Sequence, residues 1–324
     1  MQILLFSDNK RISEKLAALP RAQRPEVLPT SEVAKTVRRG YSGLIYLDLH
    51  KLAQAAYKRL LAALLKSTTA HTGIIDSAGV VEDPAELFHR GAVDYIGKAQ
   101  WAAGLTKARV GRVAAFIEAF RTAPDAESEK KVVHRIQIAF GSDWSSITHG
   151  QEYTFYLMFV ELDGKEEMEK KYGLRNLGAA LLSFKEYVGD FVSDYGGRVW
   201  IWSKFGGIVL FPFDGKPSET INCGFRFMLF KHLYDIEESS FPNLISVRMA
   251  LHVGNVMYHP DQTDQVISDT LNRTFHLGQQ HTLPGSFAVT EDAFAYCPRE
   301  LQGYFVPAGE FKDRNVVRMK RAFV

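Results

Sequence analysis

The chain has 324 residues, 46% of them hydrophobic and 23% charged, with a net charge of +2. That is apolar content for two domains with separate cores, and so even a charge leaves neither a nucleic-acid footprint nor an acidic tail. Cys223 and Cys297 are far apart and have no metal-ligand spacing, which points to a reducing compartment. The N-terminus, MQILLFSDNK, lacks the h-region and cleavage site of a signal peptide, and no run of about 18 apolar residues is present to span a bilayer. The expectation is a cytoplasmic protein.

Strand and helix signals alternate through the first 120 residues. Strands are expected at 3–6, 44–49, 73–75 and 93–96, with a weaker one at 26–28; helices are expected at 11–19, 52–65, 84–90 and 105–120. Alternation of this kind predicts a doubly wound parallel sheet of flavodoxin-like order, whose ligands sit at the carboxyl ends of the strands. At those ends fall Asp8, then Asp48, then Asp76 and Ser77, then Lys98. Acids, a hydroxyl and a lysine on one rim can hold Mg²⁺ and a transferred phosphoryl group.

With LLFSDNK, LIYLDLH, IIDSAG and GAVDYIGK in order, residues 1–121 resemble the receiver domain of two-component response regulators. The resemblance implies Asp48 as phosphoacceptor, Asp8 with Asp48 as Mg²⁺ ligands, and Ser77, Tyr95 and Lys98 as the switch residues. It also implies a sensor histidine kinase as partner. Two positions depart from the family: Ser7 stands where it has a second adjacent acid, and Ala99 where a proline follows the lysine. One acid fewer predicts weaker Mg²⁺ binding, with Asp76 as a partial substitute.

Residues 122–150 read as a helical linker. TAPDAES at 122–128 is a breaker, and 129–140 resumes helical spacing through Val132, Val133, Ile136 and Phe140. The pattern is too short for a coiled coil.

From residue 151 the order changes. YTFYLMFVELD at 153–163 reads as a central strand. Helices follow at 165–173 and 177–192, a hairpin at 197–213, a helix at 223–234 and a strand from 247. A helix then carries Asn272, and a strand at 287–289, a helix at 291–295 and an edge strand at 309–321 complete the chain. This order predicts an α+β, ferredoxin-like core.

The stretch VRMALHVGNV, with LNRTFHL after a polar loop, resembles the class III nucleotidyl cyclases, as do FVELDG, SKFGGIVLF and PGSFAVTEDAF in order. Residues 151–324 are thereby identified as a divergent cyclase domain. SKFGGIVLF also resembles the GGDEF loop of diguanylate cyclases, but LHVGNV and LNRTFHL do not fit that family. The cyclase resemblance implies a dimer, ATP or GTP as ligand, and two Mg²⁺ or Mn²⁺ ions held by two carboxylates.

Position by position, the charges such chemistry needs are depleted. Glu161 stands at the first metal acid with Asp163 beside it, and Gly207 stands at the second. Ser203 falls at the base-reading lysine, with Lys204 one residue late. Gln265 falls at the second base-reading position, with Asp264 one residue early. Asn272 is kept, and His276 replaces the helix arginine. Loss of a transition-state charge clamp costs about 10²–10³-fold in rate.

The expectation is therefore a signalling protein whose receiver-like domain controls a weakly active or inactive cyclase-like domain through regulated dimerisation or binding. An active cyclase using Glu161, Asp163, Asn272 and Lys204 is the alternative, and a scaffold with a silent receiver the third. Arg198, Trp200, Trp202 and Lys204 are expected to share a strand face, as an aromatic stripe at an interface or as a base-stacking surface. His252 reads as a packed histidine.

Overall fold

A computed structural model describes residues 2–20, 23–65, 67, 69–81, 84–121, 143–172, 174–241, 243–260 and 268–320. The expected helix at 129–140 and the base-reading positions Asp264 and Gln265 lie outside these residues. The chain divides into two compact units, one carrying a five-stranded sheet and the other a seven-stranded sheet. No described helix is long and apolar enough to cross a membrane.

The first unit runs β1 (Ile3–Phe6), α1 (Ile12–Lys15), β2 (Glu26–Leu28), α2 (Val33–Arg38), β3 (Gly43–Asp48), α3 (Gln54–Leu64), β4 (Ala70–Ile75), α4 (Pro84–His89), β5 (Ala92–Ile96), α5 (Lys98–Trp101) and α6 (Lys107–Arg121). All its strand pairs are parallel, in the order β2-β1-β3-β4-β5, a common doubly wound arrangement. The expected strands are present. Helix 11–19 shrinks to the four residues of α1, while α2 and α5 have no counterpart in the expected elements: each is short, and a helix of one or two turns leaves too little periodicity to read.

The buried faces of β3 and β4 meet at Tyr46, which lies opposite Gly73. A Cβ at Gly73 would stand 2.5 Å from the Tyr46 ring, so only glycine leaves the ring its room. The phenol, wholly buried, donates to Asp94 Oδ2 at 2.7 Å. Arg109 of α6 grips the same carboxylate twice, Nε to Oδ2 at 3.0 Å and Nη2 to Oδ1 at 2.7 Å. This bidentate pair fastens α6 to β5 under the sheet.

The rest of the chain runs β6 (Glu152–Leu162), α7 (Lys165–Tyr172), α8 (Leu174–Ser193), β7 (Arg198–Trp202), β8 (Gly206–Pro212), α9 (Glu219–Glu237), β9 (Val247–Met257), α10 (Asp269–His276), a π-helical turn (Leu277–His281), β10 (Phe287–Thr290), α11 (Glu291–Phe294), α12 (Arg299–Gln302), β11 (Phe305–Phe311) and β12 (Arg314–Met319), all in the second unit except the end of α9 from His232 on, which groups with the first. The sheet order is β11-β12-β10-β9-β6-β8-β7. Strands β9, β6, β8 and β7 reproduce the antiparallel ferredoxin-like core. Strand β10 adds to β9 in parallel, and the β11–β12 hairpin closes that edge.

The expected single edge strand at 309–321 is therefore two strands. Their turn is Lys312–Asp313, both with positive φ (47° and 63°), a two-residue hairpin built without the glycine that usually announces one.

Strand β6 is buried along all but its first residue, as a long apolar run in a central strand requires. One of its faces, with Tyr153, Phe155, Leu157 and Phe159, forms a cluster with Ile208, Leu210, Leu271 and Leu277. On α8, Leu177, Leu181, Phe184, Val188 and Val192 recur at helical spacing and are buried; Phe184 meets Trp202 of β7, ring centroids 6.2 Å apart. Two glycines let helices approach. A Cβ on Gly254 would lie 2.6 Å from Thr270 of α10, and one on Gly278 would lie 2.1 Å from the Phe159 ring.

The Tyr46–Asp94–Arg109 network gives a direct test. Asp94→Ala strips the buried guanidinium of its bidentate partner and is expected to destabilise the chain by about 3 kcal/mol, read as a lower urea midpoint with unchanged m-value.

Candidate functional site

Both candidate sites lie where strands end, and in both the polar groups are already engaged with one another. In the first unit Asp48, 1% exposed, accepts the Ser7 hydroxyl at Oδ2 (2.6 Å) and the His50 N–H at Oδ1 (3.0 Å). Ser7, at the end of β1, thus holds the Asp48 carboxylate across from it on β3. Exposed Asp8 turns to Thr30, accepting its N–H at 3.2 Å and its hydroxyl.

Asp76 does not join them. Its carboxylate accepts the N–H groups of Gly79 (2.8 Å), Val80 (3.0 Å) and Val81 (2.9 Å) and the Tyr95 hydroxyl (3.1 Å). It is the cap of the loop after β4, and its oxygens are fully used. Burial, and then the Asp76 charge, push the Tyr95 phenol well above its ordinary range, so it stays a donor. Ser77 is half-buried and Lys98 exposed. The oxygen donors left at this rim are the Asp8 and Asp48 carboxylates and the Ser7 hydroxyl, each already hydrogen-bonded.

In the second unit the site is an open cleft of about 540 Å³ at the carboxyl end of β6, lined by Glu161, Asp163, Lys165, Glu166, Arg248 and Gln279 among others. Strand β6 delivers Glu161 and Asp163 to it two residues apart, and both are buried. Glu161 pairs with Lys165 of α7 and accepts Gln279 Nε2 at 3.2 Å. Asp163 pairs with Arg248 of β9 and accepts the Ser246 hydroxyl at 2.6 Å and the Gly285 N–H at 2.9 Å. Arg248 Nη1 also donates to the Gln279 carbonyl at 3.3 Å.

Lys165, Gln279, Ser246 and Gly285 were not expected here. Lys165 follows Glu161 at an acid–base spacing of four, which is the one signal that could have found it. Gln279 comes into the cleft on the π-helical turn after α10, a local break in helical period that residue spacing does not reveal.

The position of the second metal acid is closed by backbone. Gly207 lies opposite Trp202, and a Cβ on it would stand 1.9 Å from the Ile201 carbonyl oxygen; one on Gly206 would stand 2.1 Å from that of Val160. No carboxylate fits there. Among the described residues, no group of three or more His, Cys, Asp or Glu is arranged to hold a metal ion. The second unit does not fit the pair of ions that its resemblance implies.

Other expected residues are dispersed. Asn272 is exposed on α10 and does not line the cleft. His276 accepts or shares a hydrogen bond with Lys312 Nζ, 3.0 Å from its Nδ1. Lys204 pairs with Glu169 of α7 at 2.6 Å, and Ser203 donates back to the Gly206 carbonyl at 2.9 Å, closing the hairpin.

The expected aromatic stripe is broken. A register shift between Val199 and Ile201 makes a bulge at Trp200, and a bulge reverses the side-chain alternation beyond it. Trp200 joins the cluster around Phe155, Arg198 stacks over Trp144 with 4.3 Å to the ring centroid, and Trp202 turns to Phe184 on the opposite side.

His252 is 3% exposed, with Nδ1 3.1 Å from the Thr290 hydroxyl. Burial, and then the charges of Arg314 and Arg273, push it down to about 3. It is neutral in the fold and protonates readily only when unfolded. Below its ordinary value of 6.5 the unfolded chain therefore binds more protons, and stability falls as pH drops from 6.5 towards 3. His252→Asn is expected to flatten this loss between about pH 6.5 and pH 4, checked by urea unfolding at several pH values. At the position expected to carry the second acid, Gly207→Asp is expected to lower stability by about 2 kcal/mol or more and to give no Mn²⁺-dependent cyclic product. Thermal unfolding and product analysis check it.

No protein family matches the chain, and no curated protein does. Solved structures similar to it include the catalytic core of a rhodopsin-guanylyl cyclase with converted specificity in complex with ATPαS (12% identity, TM-score 0.45, covering 52% of this chain and 97% of that one). Another is the non-canonical dimeric guanylyl cyclase domain of the RhoGC fusion protein from the aquatic fungus Blastocladiella emersonii (13% identity, TM-score 0.44, covering 53% and 97%). A third is the adenylyl cyclase CyaB from P. aeruginosa (12% identity, TM-score 0.43, covering 52% and 94%).

Proposed function

We propose that this chain is a signalling protein in which a receiver-like first unit controls a second unit that has the course of a class III cyclase domain without its two-metal chemistry. Its output is regulated binding or dimerisation. The observation that carries this reading is the state of the cleft: Glu161 and Asp163 are each neutralised by a cation of the same chain, Lys165 and Arg248, and backbone occupies the room for a further acid at Gly207. Cyclisation needs two cations clamped between the attacking and leaving oxygens, and a donor set this small does not assemble them.

In the first unit Asp48 is the phosphoacceptor. One of its carboxylate oxygens would attack the phosphorus of a phosphodonor, such as the phosphohistidine of a sensor kinase or acetyl phosphate, and the donor's own bond to phosphorus would break. Asp8 and Asp48 would hold Mg²⁺ there, and the ion neutralises charge on the phosphoryl group when bound. Ser77 and Lys98 would meet the phosphoryl oxygens, and Ser7 would give up its bond to Asp48.

Three measurements test this. Purified chain with ATP or GTP and Mg²⁺ or Mn²⁺ is expected to form no cyclic product above background; turnover at an ordinary cyclase rate overturns the reading. Acetyl phosphate with Mg²⁺ is expected to add a single phosphoryl group that Asp48→Ala removes and to shift the monomer–dimer balance seen by light scattering. No uptake leaves a scaffold with a silent first unit. Ser7→Asp, which restores a second acid beside Asp8, is expected to raise the thermal midpoint gained on adding Mg²⁺; an unchanged Mg²⁺ response counts against the assignment of the rim.

A further inference from the structure

The second unit carries a pair of histidines that the cleft does not use. His149 precedes β6, and His259 follows β9. These strands run antiparallel with Glu152 opposite Met257, and the ladder continues outward: the Tyr258 N–H donates to the Gln151 carbonyl at 2.9 Å, and the Gly150 N–H to the Tyr258 carbonyl at 2.9 Å. Pairing therefore sets residues 149 and 259 side by side, at the opposite end of β6 from the cleft. The His259 backbone is anchored further by the Trp200 indole, which donates to its carbonyl at 2.9 Å. Thr148, next to His149, is held by the Tyr153 hydroxyl at 3.0 Å.

On this scaffold His259 Nδ1 stands 3.3 Å from His149 Nε2. The rings meet edge-on, with planes at 86° and centroids 4.7 Å apart. His149 is exposed and His259 partly so. Two imidazole nitrogens bound at about 2.0–2.1 Å to one tetrahedral ion stand about 3.3–3.4 Å apart. The observed separation matches that value, and it also suits a hydrogen bond between the two rings in the metal-free chain.

We propose that His149 and His259 form a site for one divalent transition ion of the Zn²⁺ class. Imidazole selects Zn²⁺, Ni²⁺ or Cu²⁺ over the oxygen-seeking Mg²⁺ and Ca²⁺. Among the described residues no third side chain completes the set, so water fills the other positions and the ion exchanges freely. Bound there, it ties the residue that enters β6 to the residue that leaves β9 and stiffens the two central strands of the sheet from outside. This is independent of cyclase chemistry and of the first unit.

The test uses the untagged full chain, titrated calorimetrically with Zn²⁺ and with Ni²⁺ near neutral pH, with thermal unfolding in parallel. One ion per chain and a thermal midpoint that rises with Zn²⁺ are expected. His149→Ala and His259→Ala should each weaken binding by more than the about 10–100-fold that loss of a mere supporting partner costs a metal site. Both should remove the thermal gain, while His281→Ala should change neither. Because His149 is exposed, its variant keeps the metal-free midpoint and decides the matter even if His259→Ala unfolds. Undiminished Zn²⁺ binding in His149→Ala overturns the proposal. So does the absence of binding up to about millimolar Zn²⁺, which would leave a hydrogen-bonded pair only.

Discussion

Asp163 is the knot of the second unit. Its carboxylate takes a hydroxyl from Ser246 ahead of β9, a guanidinium from Arg248 within β9 and a backbone N–H from Gly285 ahead of β10. Its own N–H donates to the Ser246 carbonyl at 2.8 Å. The end of β6 and the starts of β9 and β10 are thus gathered on one buried side chain. A buried carboxylate needs such partners, because an unpaired one costs several kcal/mol. The consequence for chemistry is direct. A metal ion seeking the same oxygens would displace Arg248 and leave the serine and glycine donors pointing at a cation. Structural and metal-binding uses of Asp163 compete, and the donors already in place belong to the structural one.

The first unit shows the same economy on a smaller scale. Four donors converge on Asp76, and the acid becomes the brace of a loop rather than a reserve ligand. Asp48 is different: its two bonds, to Ser7 Oγ and the His50 N–H, include one hydroxyl that can rotate away. A reaction at the Asp48 carboxylate would disturb fewer fixed partners than one at Asp76. The contrast between Asp48 and Asp76 follows from what surrounds each acid, not from their order along the chain.

That difference also marks what residue order could and could not convey. Alternating apolar runs located β1, β3, β4, β5 and β6, because burial of whole strands leaves a pattern that survives without coordinates. The placement of Asp8, Asp48, Glu161 and Asp163 at strand ends followed from the same pattern. Partnership was not legible. Arg248 lies 85 residues from Asp163, and nothing local to either names the other. The bulge at Trp200 was hidden too, since V-W-I-W reads as a regular alternation until the register with Val209 and Ile208 is seen. The hairpin turn at Lys312–Asp313 escaped because its left-handed residues are not glycine. Asn272 and His276 keep their place on a helix, but a helix that lapses into a π turn brings Gln279, not Asn272, to the cleft.

What the cleft retains is shape. Its volume of about 540 Å³ is within the range of small-molecule sites, roughly 300–1,000 Å³. Its charge is another matter. Glu161, Asp163, Glu166 and Glu167 line it against Lys165 and Arg248, four acids against two bases and a balance of −2. The start of α7, where a helix offers its partial positive charge to an anion, already carries Glu166 and Glu167 in its first turn. A triphosphate would meet like charge on entry unless cations came with it, and two of the four acids, Glu161 and Asp163, are already paired with Lys165 and Arg248.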